Sequence, residues 1–196
     1  MKKVNSCLMI TLTAILLIPL SILLADEIKD SINDALQKYD QGDYSGAAGM
    51  LDYAAQLIRQ KKAEQLKAFL PKAPDGWTSN DAATMAMEVA MFGGGSSAER
   101  QYTKDTSSVS VKIMTDSPYL PTMMMMMTNP AMAASDGGKL TKIKNQQAII
   151  KYIAEVQSGD INIVVANRYL VTVSGTQVSL DILKSFAEDI DYTKLT

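Results

Sequence analysis

Five consecutive methionines, Met123, Met124, Met125, Met126 and Met127, fenced by Pro121 and Pro130, are the most unusual concentration of potential ligand atoms in the chain. Thioether sulfur is a soft donor that suits Cu(I). On a helix Met123, Met126 and Met127 share a face, while Met124 and Met125 point elsewhere. These three are the candidate metal ligands of a copper-handling reading. Against it stands the absence of any histidine and the presence of a single cysteine, Cys7, because copper sites commonly add imidazole or thiolate to the thioethers. Methionine is also unbranched and adaptable, suited to an irregular core or to a surface that grips something apolar. Five successive residues point around the whole circumference of a helix. At least one or two must therefore leave the packed side, which makes Met123 to Met127 interaction candidates together with the only tryptophan, Trp77.

Other chemistry is excluded by composition. Without imidazole there is no Ser-His-Asp arrangement and no histidine zinc ligand. The carboxylates Asp181, Glu188, Asp189 and Asp191, with Glu88 and Glu99, show no spacing that would face two acids across a cleft as a glycosidase requires. Solvated faces account for all six. Gly93-Gly94-Gly95-Ser96-Ser97 lacks the Gly-Lys-Ser/Thr ending of a phosphate cradle and reads as a hairpin turn. No catalytic residue and no cofactor is expected. The net charge is −2, and removal of residues 1–25, which hold two lysines and no acid, makes it −4. That balance argues against a nucleic-acid partner.

The N-terminus predicts an address. Lys2 and Lys3 precede an apolar run from Leu8 to Leu24, and Ala25 then meets Asp26 and Glu27. A charged start, an apolar centre and a small residue before a polar stretch predict a secretory signal peptide over 1–25, cut between Ala25 and Asp26. An uncleaved N-terminal membrane anchor is the alternative. Pro19 and the short span count against a stable crossing after processing.

From Glu27 to Leu70 the period is helical. Ile28, Ile32, Ala35, Leu36 and Tyr39 recur at three and four, as do Ala47, Leu51, Ala54, Leu57 and Ile58, with Gln41-Gly42-Asp43-Tyr44 as the turn between. This predicts an αα-hairpin over 26–70. Tyr39, the Gln-Gly-Asp-Tyr turn, Ala47, Leu51 and Ala54 resemble the second half of a tetratricopeptide unit. Pro71 and Pro74 stop the second helix, and 71–77 is the expected linker.

After Trp77 the period changes to two. Met85 to Phe92, Glu99 to Lys104 and Val109 to Ile113 predict a three-stranded meander. The methionine segment predicts one helix from about Thr122 to Ala134. Leu140–Lys144, Gln147–Val156, Ile161–Ala166 and Tyr169–Ser174 predict four more strands, separated by turn residues. The run Ile161 to Val173 is the expected sheet centre. Ser179 is the expected N-cap of a helix whose Leu180, Leu183, Phe186, Ala187 and Ile190 share a face.

The expected fold is α+β: an antiparallel sheet of about six or seven strands covered by helices over 78–196, with the αα-hairpin before it. In this order, with Pro-Asp-Gly-Trp at its start and the Asp191, Tyr192, Leu195 tail, it resembles the PsbP-like family of secreted α/β/α domains over roughly residues 75–195. Locally, PKAPDGW and MFGGGSSAERQY resemble a group of uncharacterised exported bacterial proteins. The resemblance implies a periplasmic or secreted bacterial protein and carries no activity. The functional expectation is a non-catalytic binding or interaction protein of the cell envelope, partnered by an envelope protein or an apolar ligand. The alternative is periplasmic Cu(I) handling.

Overall fold

The computed structural model describes residues 20–86 and 95–195. The chain divides into two units, 1–54 and 55–196. Residues 1–19 of the expected signal peptide lie outside the described residues, and the expected cut between Ala25 and Asp26 falls inside the first helix.

Unit one is built on α1 (Leu20–Asp40) and the first part of α2 (Tyr44–Leu66). The turn between them is a Schellman closure. Gly42 sits at φ 78° and donates to the Tyr39 carbonyl (3.0 Å), while the Asp43 N–H reaches back to Lys38 (2.9 Å). The Asp43 carboxylate then accepts from the Gly46 N–H (2.9 Å) and starts α2. That hydrogen bond, followed by the Lys38 ammonium, holds the Asp43 carboxyl below its ordinary range. Far from the turn, the Tyr53 hydroxyl donates to Glu27 and ties the two helices again.

The division between units falls within α2. Leu66 and Leu70 belong to the core of unit two, which draws the second half of the helix into that unit. Pro71 is likewise held there, its carbonyl accepting from the Tyr102 hydroxyl (2.6 Å) and from Arg100 (3.0 Å).

Unit two is an antiparallel sheet of eight strands: β1 (Thr78–Ser79), β2 (Ala83–Ala86), β3 (Ser96–Lys104), β4 (Ser107–Thr115), β5 (Lys139–Ile143), β6 (Gln146–Ile153), β7 (Ser158–Val165) and β8 (Tyr169–Thr176). Their order is β1-β3-β4-β8-β7-β6-β5, with β2 also beside β3. β1 and β2 pair with opposite ends of β3, Thr78 with Thr103 and Ala86 with Ser96, so they act as one broken edge strand. The expected β-rich run supplies the centre, β8 and β7.

Alternation gives each face a different partner. One phase, including Val109, Val111, Ile113, Ile161, Ile163, Val171 and Val173, forms the main core with α5 (Leu180–Glu188). Ser179 caps α5 by accepting from the Ile182 N–H (3.4 Å), and Leu183, Phe186 and Ala187 are buried beneath it. The opposite phase holds Met114, Ile149, Val164 and Leu170 at one end, under α3 (Leu120–Thr128) and α4 (Pro130–Ser135).

Three expectations need correction. The methionine segment is two helices, because Pro130 brings no N–H and forces the residue before it to be extended. Asn129 takes that conformation (φ −126°, ψ 98°), and its side chain accepts from the Ala131 and Met132 N–H groups. Ser96 and Ser97, read as turn residues, are buried at the start of β3. The strand expected over Met85–Phe92 begins earlier, at Ala83; the remainder of that expectation, with Glu88 and the glycine turn at 93–94, lies outside the described residues.

Candidate functional site

The five methionines are treated very differently by α3. Met127 is 5% exposed and Met125 51%. Met123, Met124 and Met126 are half-buried against a cluster made by Leu120, Ala133, Ile149, Val164 and Leu170. Two of the three residues expected on a shared face, Met123 and Met126, therefore lie partly open beside the sealed Met127. Met124 packs too, and Met125 alone is the clearly outward side chain. The expectation that at least one methionine must leave the packed side is met by Met125. Met132, on α4, is half-buried. Trp77 is also half-buried, its ring edge-on to Phe186 at 5.1 Å on the rim of the main core.

Beyond the methionine cover, the same sheet face turns polar. Gln101, Ser110, Ser174, Asp160 and Lys151 lie in successive cross-strand register over β3, β4, β8, β7 and β6. Their hydrogen bonds close among themselves and their neighbours. Ser110 donates to Glu99 (2.7 Å), Ser108 shares a hydroxyl contact with Thr176 (2.7 Å), Thr172 donates to Asn162 (2.8 Å), and Asn162 donates to Asp160. Lys151 is paired with Asp136. Burial pushes the Asp160 carboxyl upward, against the opposing pull of Lys151 and Asn162. The strand phase Asp160-Ile161-Asn162-Ile163 carried a sequence signal for this face, since small polar residues alternate there with core residues.

Glu99 and Asp160 do not make a glycosidase pair on it. Glu99 and Asp160 are separated by three strand-to-strand steps, about 14 Å, against roughly 5–9.5 Å for paired glycosidase carboxyls. The remaining expected carboxylates are solvated: Asp181 faces Lys184 at 4.0 Å, Asp191 faces Lys194 at 3.0 Å, and Glu188 and Asp189 are exposed. Among the described residues no three acidic side chains converge as metal ligands.

The hairpin carries the clearest unfilled surface. The periodic residues of α1 and α2 predicted one packed face. Instead Ala35, Ala47 and Ala54 make the buried seam, and the larger side chains stand outside it. Leu36 is 58% exposed and Leu51 52%, and Tyr39 and Tyr44 are exposed as well, their rings edge-to-face at 5.5 Å. Small residues at the seam let the helices approach closely, which leaves Ile32, Leu36 and Tyr39 as one ridge and Leu51 as the other. Between them runs a groove of about 260 Å³, floored by Ala35 and Ala47, with no polar lining surface. The carboxylates lie off its floor: from Glu27 to Ala54 there are six acids (Glu27, Asp30, Asp34, Asp40, Asp43, Asp52) against Lys29 and Lys38. All six are exposed. Unit one is therefore an apolar slot in a net negative field.

Comparison with family models, with curated proteins and with solved structures finds no match to the chain. No helix among the described residues is long and apolar enough to cross a membrane.

Proposed function

We propose that the chain is an exported, non-catalytic interaction protein of the bacterial envelope whose helical hairpin receives an amphipathic helix of a basic partner protein. Export is supported by Lys2, Lys3 and the apolar run ending at Ala25. The observation that carries the reading is the reversed hairpin, alanines inside and Ile32, Leu36, Tyr39 and Leu51 outside. A slot with a small-residue floor and large walls accepts side-chain knobs from a third helix packed at roughly 8–10 Å. The charge of the hairpin selects the occupant. A second copy would bring the same excess of carboxylates, whereas a basic helix is drawn in by the field.

The test uses the full chain and two fluorescent peptides with identical leucine heptads, one lysine-rich and one glutamate-rich, read by anisotropy. The lysine peptide binds at least about tenfold more tightly, a difference that shrinks with added salt. Leu36→Glu combined with Leu51→Glu removes its binding without loss of helicity. Equal affinity for the two peptides, or binding untouched by the double substitution, overturns the reading. The Cu(I) alternative has no comparable observation behind it, since Met127 is sealed in apolar packing and Met123 and Met126 lean on the same cluster.

A further inference from the structure

Unit two contains a cavity of about 570 Å³ bordered by the end of α2, the short 3-10 turn Lys67–Phe69, the end of β4 and the start of β8. This is within the usual volume range of small-molecule sites. Its lining combines two chemistries, apolar Leu66, Ala68 and Phe69 with polar groups that include Lys62, Thr115 and Arg168.

Thr115 marks this cavity as unfinished. The residue is 1% exposed and its hydroxyl has no hydrogen-bond partner. The hydroxyl of Ser96, paired with Thr115 across the ladder, turns instead to the Arg59 carbonyl, to which it donates (2.8 Å). Buried polar groups are nearly always satisfied, so an orphan hydroxyl at a cavity wall is a place for a partner from outside the chain.

The charges specify that partner. Lys62 is neutralised by Asp116 at the cavity's edge. Arg168, on the turn before β8, lies over the Tyr169 ring at 5.5 Å and forms no ion pair among the described residues. One guanidinium is thus left to receive a single anionic head, which its planar fork suits.

We infer that this cavity is a binding site for a small amphipathic anion, with its carboxylate- or phosphate-type head at Arg168 and Thr115 and its apolar body against Leu66 and Phe69. Nothing in the residue pattern points to it. Thr115 reads as a strand end and Arg168 as a turn residue, and only folding brings them to one wall. The site is independent of the hairpin, so neither proposal falls with the other.

The test is calorimetric titration and thermal melting of the full chain with octanoate, octyl phosphate, octanol and inorganic phosphate. At least one of the two amphipathic anions binds and raises the melting midpoint, and comparing them assigns the head group. Octanol and inorganic phosphate each bind at least about tenfold more weakly, because each lacks half of the recognised chemistry. Arg168→Gln weakens the preferred anion at least about tenfold. Thr115→Val weakens it too, yet leaves the ligand-free midpoint unchanged or higher, since it removes an orphaned hydroxyl. The inference is overturned if neither anion binds at millimolar concentration, if octanol binds as well as both, or if both substitutions leave affinity unchanged.

Discussion

Truncating the methionines of α3 one at a time separates cover from surface with the residue type held constant. Met127 is 5% exposed and packs with Leu120, Ala133, Ile149 and Val164. Met127→Ala removes a buried side chain and leaves a cavity that the surrounding strands cannot fill, a loss of about 2–5 kcal/mol. Met125 is 51% exposed. Its full burial would be worth roughly 1.5–3 kcal/mol, so about half of that is at stake, and solvent fills the space. Alanine's better helix propensity returns a few tenths of a kcal/mol. Met125→Ala therefore falls below about 1 kcal/mol, and Met123, Met124 and Met126 lie between. Urea unfolding followed by Trp77 fluorescence is the suitable assay, because the only tryptophan lies in unit two against Phe186. Equal losses at positions 125 and 127, or a reversed order, refute the assignment of α3 as the cover of this sheet face.

Two further outcomes follow from single residues. Burial raises the Asp160 carboxyl above its unfolded value of 3.8, so folding disfavours its charge. That destabilisation is fully present above the folded pKa and disappears as pH falls through it toward the unfolded value. Asp160→Asn accordingly raises the urea midpoint at pH 7, and its advantage over the parent vanishes near pH 4; a constant advantage across that window would contradict the cause. Asn129→Ala removes the acceptor that starts α4 and is expected to lower stability by about 1 kcal/mol. Asn129→Asp, which keeps an acceptor, restores most of it.

The α+β architecture was legible because its signals are local. The change from a three-to-four period to a period of two at Trp77, the Ser179 cap and the β-branched run around Ile161–Val173 each depend on neighbours in sequence. The break inside the methionine segment is legible too, in Asn129-Pro130, because the pre-proline restriction outweighs the apolar run there. The hairpin was harder. Periodicity places Ala35, Leu36 and Tyr39 on one side of α1, but it does not say which line of that side becomes the seam. The alanines win because they allow closer approach. The Thr115 cavity had no sequence signal, since its walls come from α2, β4 and β8, elements far apart along the chain.

The strand order also has a consequence for how the sheet assembles. β3-β4 and β5-β6-β7-β8 are each joined by short connections, and among the described residues the β4–β8 ladder, with partners such as Thr115 and Tyr169, joins the strands farthest apart in sequence. Local pairings close first, and the loop entropy of this seam is met last. Until then the backbone edges of the two strands that become the middle of the sheet are open. β4 of one copy and β8 of another can satisfy the same ladder, so exchange of a meander between chains is the characteristic error available to this topology. The methionine helices lie on the connection between the meanders, α3 docking on β6 and β7 and α4 on β5. Their packing therefore draws β4 back toward its own β8, and weakening it at Met127 favours exchanged dimers during refolding at high protein concentration.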